Sequence, residues 1–155
     1  MTTEAPDALA TAARVVREEA EALLSLAEAL GDSFAQAHAL ILAAPGRVVA
    51  TGMGKSGHVA RKVAATLAST GTPAHFVHPA EAAHGDLGQM IRGDVVLALS
   101  NSGETPELEA LVEHTRRFAI PLVAVTARPA STLARAADLV LALPPVPEAC
   151  GIGVV

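Results

Sequence analysis

Residues 47–57 read Arg-Val-Val-Ala-Thr-Gly-Met-Gly-Lys-Ser-Gly, and residues 94–105 read Asp-Val-Val-Leu-Ala-Leu-Ser-Asn-Ser-Gly-Glu-Thr. In each stretch a short apolar run is followed by a loop rich in glycine and hydroxyl side chains. Such runs are typical of strands buried on both faces of a parallel sheet. Loops that follow these strands present backbone N–H groups and a helix N-terminus to an anion. The two stretches predict an open α/β sheet that binds a small phosphorylated molecule.

The rest of the chain continues this alternation of strands and helices. We predict an α/β fold with three layers: a doubly wound, five-stranded parallel sheet of the flavodoxin-like kind with right-handed crossovers. The predicted strands lie near Val48–Thr51, Ala74–Val77, Val95–Ser100, Leu122–Thr126 and Leu139–Leu143. The predicted helices lie near His58–Ser69, Pro106–Phe118 and Ser131–Ala136, with a turn of helix within Glu81–Leu87.

Residues 1–45 are predicted to be an N-terminal helical segment of the same domain. One helix runs from about Asp7 to Leu30, and a second, capped by Asp32 or Ser33, runs to about Ala43. The first helix carries an apolar stripe of Leu9, Val16, Leu23, Leu24 and Leu30. The helix pair could be a lid, a packing layer or a dimer arm. We favour a packing layer, and association is also open because so much apolar surface must be covered.

The composition excludes several classes of protein. The 155 residues carry a net charge of −5, and the aromatic residues are three Phe. Without Trp, Tyr or an excess of cations, the sequence argues against nucleic-acid binding. Cys150 is the one cysteine, so no disulfide forms within the chain and we expect a cytoplasmic protein. Neither a signal peptide nor an apolar run that could span a bilayer is evident, so we expect no membrane partner.

Two nucleotide-binding interpretations of the first loop are weaker than the general interpretation as a phosphate-binding loop. The pattern G-x-G-x-x-G at residues 52–57 matches the dinucleotide fingerprint, which also needs an acidic residue at the end of the next strand. That strand ends before Pro79, and the nearest acid, Glu81, lies beyond it. The Gly-Lys-Ser triplet resembles a Walker loop, but Val49 stands where that loop needs a glycine.

The second loop is a stronger candidate for phosphate binding. Ser100, Ser102 and Thr105 supply three hydroxyls within six residues, and Gly103 permits a tight backbone. Pro106 suits the first position of a helix. A capped helix start needs only one hydroxyl. We therefore favour phosphate binding over capping alone.

Five motifs together carry a family resemblance. They are residues 52–58 (Gly-Met-Gly-Lys-Ser-Gly-His), 69–73 (Ser-Thr-Gly-Thr-Pro), 78–88 (His-Pro-Ala-Glu-Ala-Ala-His-Gly-Asp-Leu-Gly), 100–105 (Ser-Asn-Ser-Gly-Glu-Thr) and 148–150 (Glu-Ala-Cys). With them, the chain from its first helix to Cys150 resembles the sugar isomerase (SIS) domain of D-arabinose 5-phosphate isomerases of the KpsF/GutQ type. The run at 78–88 is highly specific for that type, whereas the loop at 100–105 alone marks the wider superfamily.

The resemblance implies an enzyme that interconverts D-arabinose 5-phosphate and D-ribulose 5-phosphate through a cis-enediol. This step supplies the precursor of Kdo, a lipopolysaccharide sugar, and the resemblance also implies a homotetramer. The catalytic residues it implies are Lys55, His84, Glu107 and Glu148. The residues expected to hold the substrate and its phosphate are Gly54, Ser56, Ser100, Asn101, Ser102, Gly103 and Thr105.

Each catalytic candidate also has a purely structural interpretation. Lys55 could neutralise a helix start, and Glu107 could favour a helix dipole. His84 could be a satisfied loop histidine, Glu148 plain surface, and Glu104 a loop-shaping or capping acid. Isomerisation needs a base that moves a proton between neighbouring carbons and a cation that steadies an enediolate. Which of Glu107, Glu148 and His84 is the base stays open.

Three histidines could suggest a metal cluster: His75, His78 and His84. His75 and His78, however, are three apart on a predicted strand and so point to opposite faces. We expect no required cofactor, and a non-essential divalent metal such as zinc is left open.

After Cys150 the chain departs from the KpsF/GutQ pattern. The family continues with Pro-Leu-Gly, a Ser/Thr-rich stretch, a long helix, the last catalytic His and often paired CBS domains, whereas residues 151–155 read Gly-Ile-Gly-Val-Val. We expect residues 46–155 to be a C-terminally truncated sugar-phosphate-binding domain without CBS domains, with one face of its last strand uncovered. Besides the isomerase of arabinose 5-phosphate, a non-catalytic sugar-phosphate sensor and an isomerase of another phosphosugar stay open.

Overall fold

A computed structural model describes residues 7–149 of the chain. They fall into two compact units, one formed by residues 7–30 with 144–149 and the other by residues 31–143. Among the described residues, no helix is both long and apolar enough to cross a lipid bilayer.

The first unit contains the long helix α1 (Ala8–Ala29). The Asp7 side chain caps its start by accepting a hydrogen bond from the Leu9 N–H at 3.0 Å. Arg14 and Glu18 form an ion pair one turn apart at 2.8 Å. None of the 22 residues of α1 is buried, and Leu9, Val16 and Leu23 of its apolar stripe are exposed. The interpretation of the N-terminal helix pair as a packing layer stays a prediction.

The second unit, residues 31–143, is built on a parallel sheet of five strands in the order β2-β1-β3-β4-β5. The strands are β1 (Val48–Gly52), β2 (Ala74–Val77), β3 (Val95–Leu99), β4 (Leu122–Thr126) and β5 (Leu139–Ala142). Every residue of β1 and β3 is buried. This explains why these strands read as unbroken apolar runs, since both of their faces are covered.

Helices cover both faces of this sheet, which gives the three layers predicted. The helices of this unit are α2 (Asp32–Ala43), α3 (Gly54–Ser69), α4 (Pro79–Ala83), α5 (Glu109–Phe118) and α6 (Thr132–Ala136), with 3-10 turns at Asp86–Gln89 and Pro106–Leu108. Against one face pack Ala82 of α4, Leu111 of α5 and Leu133 of α6. Against the other face pack Ala37 of α2 and Ala60 of α3.

The predicted strands are confirmed to within one residue at each end, but four helix predictions differ. The turn of helix predicted within Glu81–Leu87 is observed as α4 (Pro79–Ala83) and a separate 3-10 turn (Asp86–Gln89). α3 begins at Gly54 rather than His58, so Lys55 and Ser56 belong to the helix. Residues 106–118 divide into a 3-10 turn and an α-helix. Asp32 lies inside α2, because its N-cap is Gly31, which offers no capping side chain.

Candidate functional site

The two glycine- and serine-rich loops leave the sheet side by side. The strand order reverses between β1 and β3, because the chain continues from β1 to β2 on one side and from β3 to β4 on the other. Gly52 of β1 is in register with Leu99 of β3, so the two strands end level. Neighbouring strands lie about 4.8 Å apart. The crevice between such strands is the general ligand site of open α/β sheets.

The first side of the crevice is the N-terminus of α3. Its N-cap is Met53, which makes no capping hydrogen bond through its side chain. The first turn of a helix has N–H groups without an intrahelical acceptor, and they carry a partial positive charge. Lys55 is exposed and Ser56 is half-buried in this turn. The structure therefore corrects the expectation that these residues lie in a loop, and places the N-terminus of a 16-residue helix at the crevice.

A close backbone approach sets where this helix begins. A Cβ atom on Gly57 would lie 2.5 Å from the Gly52 carbonyl oxygen. Any larger residue at position 57 would push α3 away from the end of β1. The glycine therefore holds the helix N-terminus directly against the last residue of β1.

The second side of the crevice is the loop Ser100–Thr105, whose hydroxyls bind one another. Ser100 Oγ and Thr105 Oγ1 lie 2.7 Å apart, and Ser100 Oγ accepts a hydrogen bond from the Gly103 N–H at 3.0 Å. The two hydroxyls carry two hydrogens and their mutual bond uses one. One hydroxyl hydrogen therefore stays available for a ligand. Ser102 Oγ accepts from the Glu104 N–H at 3.2 Å and also keeps its own hydrogen.

Residues from the end of β4 to the start of α6 fix this loop through hydrogen bonds. The Asn101 carbonyl accepts hydrogen bonds from Thr126 Oγ1 at 3.2 Å and from the Ala127 N–H at 3.1 Å. In a trans peptide the N–H points opposite to the carbonyl. The Ser102 N–H therefore points away from residues 126–127. The Gly103 carbonyl is held in the same way by the Leu133 N–H at 3.0 Å.

His84 and Glu107 are carried by two elements that pack together. His84 is the exposed C-cap residue of α4. Glu107 is exposed in the 3-10 turn Pro106–Leu108, which follows the second loop. α4 packs against this turn and against α5. The structure thus brings the elements that carry these two candidates to one face of the sheet, beside the carboxyl ends of the strands.

Glu148 belongs to the other compact unit. It is exposed there and lines a groove of about 450 Å³ together with Val15 and Ala22 of α1. In the same unit the Arg14 side chain donates a hydrogen bond to the Ala149 carbonyl at 3.3 Å. Cys150, the last residue of the Glu-Ala-Cys motif, lies outside the described residues.

The histidines do not form a metal site with other ligands. His75 lies on β2, and the ring of His78 packs edge-on against Phe76 with 6.2 Å between centroids. β2 ends at Val77 and His78 is the N-cap residue of α4, so the premise that both histidines lie on one strand is wrong. Burial lowers the pKa of His75, helped by the Arg47 charge and opposed by Asp94. Among residues 7–149 no group of three or more His, Cys, Asp or Glu could hold a metal ion.

Glu104 shapes the loop, as predicted. Its Oε1 accepts a hydrogen bond from the Thr132 N–H at 2.9 Å. A hydrogen bond from the Thr132 side chain and this bond from its backbone N–H lower the pKa of Glu104, and the nearby Arg135 and Arg128 charges lower it further. Sequence reasoning missed Thr51, which is 0% exposed at the end of β1 and whose Oγ1 has no hydrogen-bond partner in the part of the chain described. The sequence could have indicated this residue, because Thr51 is a polar side chain within the otherwise apolar strand β1.

Comparison with known proteins gives a family match and relatives of similar sequence. The SIS domain family matches residues 40–155. The chain is 52% identical over 144 residues to the arabinose 5-phosphate isomerase KdsD of Pseudomonas aeruginosa, which covers 93% of this chain and 44% of that protein. It is 50% identical over 139 residues to KdsD of Escherichia coli K12, covering 90% of this chain and 42% of that protein. The chain thus spans less than half the length of these curated relatives.

Solved structures of proteins in the comparison have the same fold as this chain. A protein of E. coli CFT073 in complex with A5P superposes with a TM-score of 0.92 at 37% identity, covering 99% of this chain and 81% of that chain. A Bacteroides fragilis protein, described as a putative phosphosugar isomerase involved in capsule formation, superposes with a TM-score of 0.89 at 33% identity, covering 96% of this chain and 80% of that chain. On the sequence match and on its fold, the chain belongs to the SIS domain family.

Proposed function

We propose that this chain is the isomerase module of an enzyme that interconverts D-arabinose 5-phosphate and D-ribulose 5-phosphate. Two relatives at 52% and 50% identity carry the name arabinose 5-phosphate isomerase, and a 37% identical structure has A5P bound. The observation that carries the proposal is the register of Gly52 with Leu99. It supports a single crevice flanked by two anion-binding loops.

The phosphate group would lie between the α3 N-terminus and the second loop. Its oxygens would accept hydrogen bonds from backbone N–H groups at Gly54 and Ser102 and from the hydroxyls of Ser56 and Thr105. Asn101 and Gly103 shape the loop, and the buried Ser100 hydroxyl orients Thr105. Fixing the phosphate in this way positions the sugar chain for reaction without using the reactive carbons.

The reaction would move one proton between C2 and C1 of the open-chain sugar. A carboxylate or imidazole removes the C2 proton while the carbonyl oxygen O1 gains a proton, which forms the cis-enediol. The base then returns a proton to C1 while O2 loses its own, which forms the ketose. Glu107, His84 and Glu148 are the candidates for this base. Lys55 would stabilise the negative charge that develops on the enediolate oxygen or on the phosphate.

The direct test is conversion of arabinose 5-phosphate, followed by ketose formation and by exchange of the C2 proton in D2O. We expect ribulose 5-phosphate and deuterium incorporation. Because the chain spans 44% of one relative's length, the assay includes the full-length gene product. No turnover by that product would reject the proposal. A sugar-phosphate sensor would instead show stabilisation by ligand without turnover, and a hexulose 6-phosphate in the substrate panel distinguishes an isomerase of another phosphosugar.

Variants of the candidate residues test their roles. Glu107→Gln, Glu148→Gln and His84→Asn each remove a proton acceptor, and the variant that abolishes deuterium exchange while binding is retained identifies the base. Lys55→Met should lower kcat. Lys62→Met is the matched control, because Lys62 is an exposed lysine on the same helix but two turns away from its N-terminus. Equal losses in both lysine variants would contradict the role of Lys55.

We also propose that the protein acts in the cytoplasm as a homotetramer, without a required cofactor, in the synthesis of the Kdo precursor of lipopolysaccharide. The exposed apolar stripe of α1 supports association. Leu9, Val16 and Leu23 are spaced by seven residues, and 78%, 65% and 67% of their surfaces are exposed. Leu23→Glu should therefore lower the molar mass measured by light scattering. An unchanged mass would remove α1 from the interface, and a monomeric wild type would reject the tetramer.

A further inference from the structure

We propose that Glu104 is a positioning residue that fixes the phosphate-binding loop by tying it to the start of α6. This inference rests on the phosphate-holding role proposed above for residues 100–105. The tie is the hydrogen bond from the Thr132 N–H to Glu104 Oε1 at 2.9 Å, which joins two residues 28 positions apart. The loop thereby gains an attachment through a side chain as well as through its backbone.

The chain from the end of β4 to the start of α6 forms hydrogen bonds to the loop at three places. The Asn101 carbonyl accepts from Thr126 Oγ1 and the Ala127 N–H, and the Gly103 carbonyl accepts from the Leu133 N–H. The Glu104 carboxylate is the third and comes immediately before Thr105. It therefore restrains the end of the loop at which Thr105 bonds to Ser100 Oγ at 2.7 Å.

Without this attachment, the backbone at Thr105 would have more freedom, and its hydroxyl would lie less often where a phosphate oxygen can use it. Ligand binding would then be weaker, because the ligand would have to order a loop that is not already fixed. Glu104 need not touch the ligand for this. Its role is exerted through Thr105 and through the Glu104 N–H, which is bonded to Ser102 Oγ.

The sign of the expected effect separates positioning from simple charge. A carboxylate beside a phosphate site repels the anion, so removing its charge should strengthen binding if charge alone matters. Positioning predicts the opposite for Glu104→Ala, which loses both the charge and the acceptor oxygen. Glu104→Gln loses the charge but keeps an acceptor for the Thr132 N–H, so it should bind phosphate at least as well as the wild type.

A second variant controls for loosening of α6 itself. Ser131 Oγ caps this helix by accepting from the Ala134 N–H at 3.3 Å. Ser131→Ala removes that cap and leaves the bond between Thr132 and Glu104 in place. If Glu104 only stabilised α6, then Ser131→Ala and Glu104→Ala would have the same effect on binding as well as on the melting temperature.

The experiment measures the Kd of inorganic phosphate and of arabinose 5-phosphate by calorimetry, and KM and kcat, for the 155-residue chain and the three variants. We expect Glu104→Ala to raise Kd and KM about three- to tenfold with little change in kcat, and Glu104→Gln and Ser131→Ala to stay near the wild type. Unchanged or tighter binding by Glu104→Ala would overturn the inference, as would equal weakening in Ser131→Ala.

The outcomes also separate this inference from the proposed function. Wild-type phosphate binding that Glu104→Ala weakens, in a protein without turnover, supports the positioning role and rejects the isomerase. Turnover with a KM that Glu104→Ala does not change supports the isomerase and rejects the positioning role. A wild-type chain that binds neither phosphate compound overturns the positioning role.

Discussion

Replacement of Gly103 by alanine should destabilise the protein more than the same replacement at Gly54, the other crevice glycine with a positive φ. Gly103 has φ +64°, in the left-handed region, and a Cβ atom there would overlap Ser131 Oγ and Cβ and lie 3.1 Å from Thr126 Oγ1. Leaving the backbone in this conformation costs an alanine roughly 1–2 kcal/mol. Displacing Ser131 adds about 1–3 kcal/mol of overpacking. We therefore expect the free energy of unfolding to fall by about 3 kcal/mol.

Gly54→Ala is the matched control for this prediction. Gly54 also has a positive φ of +52°, but a Cβ atom there would meet nothing within 4 Å. It should incur only the backbone cost of about 1 kcal/mol. The difference between the two variants, about 2 kcal/mol, isolates the contact with Ser131. In a domain of this size it corresponds to a difference of about 4–8 °C in melting temperature.

The assay is urea unfolding followed by far-UV circular dichroism, with the slope m checked for each variant. The double variant Gly103→Ala/Ser131→Gly removes the atoms with which the new Cβ collides, and glycine substitutes well for serine at an N-cap. We expect it to recover about half of the loss in Gly103→Ala. Equal losses in Gly103→Ala and Gly54→Ala, or no recovery in the double variant, would refute the reasoning.

Three further stability predictions concern buried polar groups. Thr51→Val should raise the free energy of unfolding by about 1 kcal/mol in urea melts, because it removes a buried hydroxyl without a partner. Asp94→Ala should lower it by about 3 kcal/mol, since Asp94 is 1% exposed and accepts from the N–H groups of Arg47 at 2.8 Å and Ile91 at 3.0 Å. The pKa of His75 is lowered from 6.5 in the folded protein, so the unfolded state binds its proton first and stability falls as the pH drops below 6.5. Between about pH 7.5 and about pH 5.5, the free energy of unfolding measured in urea melts should therefore fall less for His75→Phe than for the wild type. Equal falls would contradict this.

The sheet was predictable from the sequence because its central strands are buried on both faces. Val48–Gly52 and Val95–Leu99 are unbroken apolar runs, and each is followed by glycine within a few residues. The start of α3 was not predictable from propensity, since Gly54 and Gly57 are poor helix formers. The structure shows that Gly57 lies in the helix because the backbone passes close to Gly52. A tertiary contact thus overrides the local preference.

The sequence singles out the second loop as a set of residues, but its hydrogen bonds could not be predicted. Ser100, Ser102 and Thr105 stand out in the sequence by their spacing. Which hydroxyl faces a ligand depends on the conformation of Gly103, and the bond between Glu104 and Thr132 joins parts of the chain 28 residues apart. Neither is encoded in a local pattern. The exposure of α1 was missed for a related reason, since an apolar stripe predicts burial without saying whether this chain supplies the partner.

An anion site on a chain with a net charge of −5 must obtain its affinity locally. α3 supplies part of the answer, because its 16 residues include Lys55, Arg61 and Lys62 and no Asp or Glu. Arg61, however, lies over the Phe76 ring at 3.9 Å, and Lys62 is two turns from the crevice. Remote charges are screened over about 8 Å at physiological ionic strength, whereas donors in contact with the phosphate are screened much less.

Backbone N–H groups and hydroxyls should therefore dominate the affinity. We expect the Kd of inorganic phosphate to change less than about tenfold between about 0.05 and 0.5 M sodium chloride. Calorimetry at four salt concentrations, with Lys62→Met beside the wild type, tests this. A site that depends on the summed charge of α3 would lose affinity steeply with salt and would weaken in Lys62→Met. That result would show that the helix charges, rather than the donors fixed at the ends of β1 and β3, hold the ligand.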